Sequence, residues 1–74
     1  MSAVIQGLLG KDIDAIMAFA DANMRLKPAS EKLGCHIETL ARRLDSVYRR
    51  SRMNPRDFRD LVKLVQMIEG DDDV

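Results

Sequence analysis

The chain has 74 residues, of which 46% are hydrophobic and 32% charged, and this length is too short to build two separate hydrophobic cores. A single His, a single Cys and four Gly leave too few residues for a structural zinc site, a disulfide framework or a glycine-rich phosphate loop. Lys plus Arg equals Asp plus Glu at 12 each, so the net charge of zero does not indicate a charged partner. The composition predicts one small domain without a metal, a cofactor or a small-molecule site, and it disfavours an enzyme.

Location and assembly can also be predicted from composition. No apolar run approaches the roughly 18 residues of a membrane span, and the uncharged start lacks the basic flank of a signal peptide. We therefore expect a cytoplasmic protein that makes no membrane contact. Cys35 has no partner for a bridge, and we expect it to be a small buried side chain. Because a core of this size adds little net stability, we also expect a homodimer.

The first half of the chain has helical periodicity. Ser2 to Gly10 predicts a short N-terminal turn that Ser2 caps and Gly10 ends. Asp12 stands where a helix cap is expected, and apolar residues then recur at helical offsets to Met24, which predicts a helix over residues 12–24. Pro28 at a first helical position starts a two-turn helix that ends before Gly34, a residue suited to positive φ.

Two longer helices follow. Leu40, Leu44 and Val47 align at helical spacing and predict a helix over residues 37–51. For the last helix the sequence predicts Asn54 as the cap and Pro55 as the first residue. Its predicted apolar stripe consists of Phe58, Leu61, Val62, Val65 and Ile68, and Gly70 closes it. The fold class is therefore an all-α bundle of about four main helices over residues 1–70, and we expect residues 71–74 to form an acidic disordered tail.

A short helix, a turn at Gly34 and a longer helix follow one another in the order of a helix-turn-helix. Ala29 and Ser30 are small enough to let the two helices approach. Leu33, Leu40 and Leu44 are predicted to point inward and fix the angle between them. In this motif the second helix enters the DNA major groove, so the helix over residues 37–51 is the candidate reading helix.

Eight residues before and after the turn keep a fixed spacing: Ser30, Leu33, His36, Thr39, Leu40, Arg43, Leu44 and Val47. In this register the chain resembles the C-terminal helix-turn-helix domain of PucR-like transcription regulators, over about residues 12–68. Ile37 and Glu38 stand where many members have Arg and Asn, and Arg42 where many have an aromatic residue. In those members the motif lies at the end of a long chain, whereas in this sequence the motif makes up most of the residues. The resemblance implies a bacterial regulator of transcription that binds double-stranded DNA.

Positive charge is concentrated beside the motif. Residues 41–59 contain seven Arg and two Asp, and residues 60–74 contain five acidic residues and one Lys. The Arg residues would neutralise DNA phosphates. The alternative is a solvated face held by ion pairs four residues apart, Glu38 with Arg42 and Asp45 with Arg49, which would leave Arg43, Arg50 and Arg52 uncompensated.

We expect two groups of DNA contacts. Residues expected to face base edges are Glu38, Arg42 and Ile37, the last against a thymine methyl. Residues expected to hold the DNA backbone are His36, Thr39, Arg43 and Arg49. His36 and Thr39 could instead cap the reading helix. The rival interpretation is a protein-interaction or dimerisation module with an apolar patch formed by Ile5, Leu8, Met24 or Met67.

Overall fold

A computed structural model describes residues 7–70, and within them the chain forms four α-helices and no strand. The helices are α1 (Gly10–Asp21), α2 (Leu26–Leu33), α3 (Ile37–Ser51) and α4 (Phe58–Glu69). The predicted all-α class is confirmed. The predicted turn from Ser2 to Gly10 lies mostly outside the described residues, and so does the predicted acidic tail after Gly70.

Helix α1 is displaced by two or three residues from the predicted range 12–24. It begins at Gly10, so Asp12 is the third helical residue and not the cap, and its Oδ2 accepts a hydrogen bond from the Leu9 amide at 3.3 Å. Gly10 therefore starts this helix and does not end an earlier one. The helix stops at Asp21 because Asn23 and Met24 have φ values of 58° and 64°, outside the right-handed helical region.

Helix α1 is the centre of the bundle, since it packs against α2, α3 and α4, whereas α4 packs only against α1 among the described helices. Its small residues Ala15 and Ala18 are almost fully buried and let neighbouring helices approach closely. The larger side chains of Ile16 and Phe19 fill the space between the helices. The buried apolar side chains form one cluster: Leu8, Ala15, Ile16, Ala18, Phe19, Ala29, Leu40, Leu44, Val47, Leu61 and Leu64.

The helix-turn-helix geometry is present. Helix α2 starts at Leu26, so Pro28 is its third residue and not its first. Pro is still tolerated at this position, because the amides of the first turn have no acceptor within the helix and Pro lacks an amide hydrogen. Gly34 has φ 71°, and the next amide, of Cys35, donates to the Ser30 carbonyl at 3.0 Å, which closes the helix end. The predicted turn is therefore confirmed.

Helix α3 has the predicted bounds. The predicted inward residues Leu40 and Leu44 are buried, while Leu33 on α2 is only half-buried because it lies at the edge of the cluster. At its C-terminus Ser51 Oγ donates to the Val47 carbonyl at 2.6 Å and accepts from the Met53 amide at 3.0 Å. These bonds hold the start of the connection to α4.

The predicted cap of the last helix is wrong. Helix α4 begins at Phe58, and Asp57 is its cap, accepting hydrogen bonds from the amides of Arg59 and Asp60. Asn54 instead accepts from the Arg56 amide at 3.0 Å within the preceding turn, and Pro55 is buried there. Asp57 is the more favourable cap because its carboxylate reaches two free amides at the helix N-terminus.

The predicted apolar stripe of α4 is partly wrong. Leu61 and Leu64 are buried, and Val65 and Ile68 are half-buried. Phe58 and Val62, which were predicted to belong to the stripe, have exposed fractions of 68% and 37%. Because α4 packs against α1 alone, only a narrow face of it is covered. Gly70, with φ 76°, ends the helix as predicted.

Candidate nucleic-acid interface

Helix α3 presents a polar face to solvent on the side opposite its buried residues. Leu40, Leu44 and Val47 anchor the buried side, and this orientation leaves Arg42 and Arg49 exposed. These two arginines are seven residues apart, about two helical turns, so they lie on the same side of the helix. The central exposed row of α3 has mixed charge, because Arg42 and Arg49 alternate with the carboxylates of Glu38 and Asp45, and Asp45 is paired with Arg56.

Three of the predicted contacts lie in a groove between α3 and the N-terminal end of α1. This α1–α3 groove has a volume of about 280 Å³, and its lining residues are Leu9, Lys11, Asp12, Thr39, Arg42, Arg43, Ser46 and Arg50. The structure thus brings together Thr39, Arg42 and Arg43 from the predicted set. Four cationic side chains and one carboxylate line the groove, which suits a polyanion.

The remaining predicted contacts lie to either side. His36, Ile37 and Glu38 line a second depression, between α2 and the start of α3. Cys35 lines it as well and is half-buried, so the expectation of a buried cysteine is wrong; the turn residue lies at the edge of the cluster. Arg49 lies in a third depression with Tyr48 and Arg52. The seven predicted residues therefore form a row of neighbouring surfaces along α3 and not one pocket.

The side chains at the start of α3 are free of capping bonds. His36 occupies the cap position with extended backbone, but its side chain makes no capping hydrogen bond. Thr39, the third helical residue, makes no side-chain hydrogen bond to any other residue in the range 7–70. The capping alternative for these two residues is therefore not supported, and the α3 N-terminal amides keep their capacity for an anion.

The ion pairs differ from those that the spacing suggests. Neither Glu38 with Arg42 nor Asp45 with Arg49 forms a pair; the ion pairs among residues 7–70 join Arg56 to Asp45 at 3.7 Å and Arg50 to Asp12 at 3.8 Å. Arg50 was expected to be uncompensated, and this expectation is wrong because α1 brings Asp12 against α3. Arg42, Arg43 and Arg49 have no carboxylate within ion-pair distance in the described part of the chain.

Sequence reasoning missed the contribution of α1 to this surface. Ser46 and Arg50 follow Thr39 and Arg43 at helical spacing, so the pattern of α3 was sufficient to place them on one flank. Lys11 and Asp12 carried no such signal. Their approach to α3 depends on how α1 packs, which local periodicity does not encode.

A separate apolar groove lies between the C-terminal end of α1 and α4. It has a volume of about 400 Å³, and its lining residues are Ala20, Asn23, Met24, Phe58, Leu61, Val62, Val65 and Gln66. Of the four residues predicted as an apolar patch, Met24 lines this groove, Leu8 is buried, Met67 is half-buried against the core, and Ile5 lies outside the described residues. The exposed apolar surface is therefore this groove, and of the predicted patch only Met24 belongs to it.

Residues 7–70 contain no cluster of three or more His, Cys, Asp or Glu that could hold a metal ion. Their helices are all too short or too polar to cross a bilayer.

Comparison with known protein families gives one result. The family model of the PucR C-terminal helix-turn-helix domain matches residues 5–68, which is most of the chain. Comparisons with curated proteins and with solved structures give no match. The matched range includes all four helices apart from the last residue of α4.

Proposed function

Because the chain belongs to the family of PucR C-terminal helix-turn-helix domains, we propose that it is a DNA-binding regulator of transcription whose reading helix is α3. The observation that carries this proposal is that Arg42, Arg43 and Arg49 of α3 have no carboxylate within ion-pair distance among residues 7–70. These three arginines form the cationic face of α3, which follows directly on the turn at Gly34. An α-helix fits the major groove of B-form DNA, and α3 is the longest described helix. The proposed role is non-catalytic, and we place it in the bacterial cytoplasm, where its DNA is.

The proposed base contacts are Ile37, Glu38 and Arg42. Ile37 has an exposed fraction of 42%, so its side chain is available for a thymine methyl. Glu38 is exposed and can accept a hydrogen bond from a cytosine amino group. Arg42 is exposed, lacks an ion pair within residues 7–70 and has the fork geometry that matches guanine.

The proposed phosphate contacts are His36, Thr39, Arg43 and Arg49. His36 is exposed at the N-terminus of α3, where the helix dipole also favours an anion. Arg43 and Thr39 line the α1–α3 groove, and Arg49 lies two turns beyond Arg42. Phosphate contacts of this kind fix the register of a protein on DNA, and base contacts then give sequence preference.

The test is a titration of the chain with mixed-sequence duplexes at several salt concentrations, followed by mobility shift or fluorescence anisotropy. We expect binding at about 50 mM salt that weakens steeply as salt rises, because phosphate neutralisation releases counterions. Replacing Arg42 and Arg43 together by Ala should weaken binding and reduce the salt slope by about 0.9, because only Arg43 of the two is proposed to contact a phosphate.

A matched control is the replacement of Arg59 and Lys63 by Ala, since both are exposed on α4, which does not pack against α3. This double variant also removes two positive charges, but its affinity should stay near that of the wild type. Absence of binding by the wild type at about 50 mM salt, or equal losses in the two double variants, would contradict the proposal.

We further propose that the chain acts as a homodimer through the apolar groove. Phe58 projects from the same surface that carries the groove, so two copies related by a two-fold axis can each place Phe58 against the other's groove. Helix-turn-helix dimers present two reading helices to half-sites about one DNA turn apart. The apolar groove and the cationic face involve different sides of the bundle, because α4 does not pack against α3.

A further inference from the structure

The carboxylate of Asp12 is fully buried beneath the cationic flank of α3. Its Oδ2 accepts from the Leu9 amide at 3.3 Å and lies 3.8 Å from Arg50 Nε, while its Oδ1 has no hydrogen-bond partner in the described part of the chain. Burying a charge with one oxygen unsatisfied is unfavourable unless a cation compensates it. The cap bond to Leu9 requires only an acceptor oxygen, so it does not explain why an acid and not an amide occupies this buried position.

Arg50 is the cation that compensates this charge, and its geometry leaves most of its donors free. Its Nε donates to Ser46 Oγ at 3.1 Å, and the same atom is the one nearest to Asp12. The two terminal amino groups, with four of the five N–H donors, have no hydrogen-bond partner among residues 7–70. The side chain has an exposed fraction of 46%, so these donors are accessible from solvent.

The neighbours of Arg50 indicate which ligand would use those donors. Lys11, Arg42 and Arg43 line the same groove, and so do Thr39 and Ser46, which carry hydroxyl groups. Positive charge with hydroxyl donors is the chemistry of a phosphate contact, and an Arg terminal fork matches phosphate geometry.

We propose that Asp12 is a positioning residue for DNA binding, which holds Arg50 at the rim of the α1–α3 groove so that its guanidinium binds a DNA phosphate. This inference rests on the proposed function. It assigns the N-terminal end of α1 to the DNA interface, although only α2 and α3 form the motif. A side chain that is already ordered loses less conformational entropy when it binds than a free arginine does.

For Asp12→Asn, positioning and simple charge repulsion predict changes in DNA affinity of opposite sign. Asp12→Asn removes a negative charge near DNA and should tighten binding if Asp12 only repels phosphate, whereas positioning predicts that affinity falls by roughly threefold. Asp12→Asn keeps an acceptor for the Leu9 amide. Arg50→Gln should weaken binding by about tenfold and reduce the salt slope by about 0.9.

The decisive experiment is a double-mutant cycle, with dissociation constants for a mixed-sequence duplex measured over a salt series. If Asp12 acts through Arg50, Asp12→Asn should have no further effect in the Arg50→Gln background. Asp14→Asn is the matched control, because Asp14 is exposed on the same helix, and its affinity should equal or slightly exceed that of the wild type. Circular dichroism establishes that each variant is folded at the temperature of measurement.

A second measurement needs only the wild-type chain and covers the case in which Asp12→Asn does not fold. In an NMR spectrum the Arg50 Nε–H signal should exchange with water more slowly than those of Arg42 and Arg49; equal exchange overturns the proposal. The positioning proposal is also overturned if Asp12→Asn binds the duplex as tightly as the wild type, or if Asp12→Asn lowers the affinity equally in the Arg50→Gln background. Either result leaves the proposed function intact. A wild-type chain that does not bind the duplex overturns both.

Discussion

At the residue scale, the geometry of the motif depends on Gly34. Its φ of 71° lies in the left-handed region, where a side chain strains the backbone. A Cβ built on Gly34 would meet no atom within 4 Å, so a substitution there carries the backbone strain without a steric clash. The residue is therefore required for its conformation and not for space.

Gly34→Ala should lower the free energy of unfolding by about 1 kcal/mol, which urea denaturation would measure. Gly34→Asn should lose less, because Asn tolerates the left-handed region better than Ala. The matched control is Gly10→Ala, which also meets open space but lies in α1 with no positive φ, and it should be neutral or slightly stabilising. If the two Ala variants lost the same free energy of unfolding, the loss at Gly34 could not be attributed to its positive φ.

Arg42 and Arg43 show how neighbouring residues on one helix acquire different surroundings. Arg42 is exposed, while Arg43 is half-buried on the flank that faces α1, because successive helical residues differ by about 100° in direction. This difference supports separate roles for them, at a base edge and at a phosphate.

At the element scale, the start of α4 shows two caps in competition. Asn54 with Pro55 and Asp57 with Phe58 are both plausible starts by residue type. The structure selects Asp57, whose Oδ1 lies 2.9 Å from the Arg59 amide and 3.3 Å from the Asp60 amide. Asn54 is held in a preceding turn, where its own amide donates to Asp60 Oδ2 at 3.0 Å.

Asp57→Ala should therefore lower the free energy of unfolding by about 1 kcal/mol, because the capping bonds to α4 are lost. Asp57→Ser should retain most of the stability, since a hydroxyl oxygen also caps. Thermal unfolding followed by circular dichroism would measure both changes. Asn54→Ala serves as the comparison and should cost less; a larger loss there would show that the cap lies at Asn54.

At the scale of the whole molecule, α4 divides its apolar residues between the core and the surface. Leu61 and Leu64 complete the cluster around α1, whereas Phe58 and Val62 border the open groove. An exposed aromatic side chain beside an apolar groove is typical of an interaction surface. The proposed dimer would cover this surface and leave the cationic face of α3 open to DNA.

Phe58→Ser should convert a dimeric wild type into a monomer in sedimentation equilibrium. The variant should remain folded, because Phe58 has an exposed fraction of 68% and contributes little to the core. Tyr48→Ser is the control, since Tyr48 is an exposed aromatic residue on α3 and does not line the groove. A monomeric wild type, or a Phe58→Ser variant that is still dimeric, would contradict the homodimer.

Features that depend on local spacing could be predicted from the amino-acid sequence. Helical periodicity gave the all-α class and the bounds of α3, and Gly34 and Gly70 marked two helix ends because few other residues adopt positive φ readily. The motif from Ser30 to Val47 identified the family, which the match over residues 5–68 confirms.

Contacts between residues that are distant in the sequence could be known only from the packing of the helices. Periodicity gives the width of an apolar face but not its partner, so the exposure of Phe58 followed only from the packing of α4 against α1. The pairing of Asp12 with Arg50 joins residues 38 positions apart, and no local pattern carries that information. The physical reason is that side-chain spacing reflects the geometry of one helix, whereas contacts between helices depend on how all of them fill a shared core.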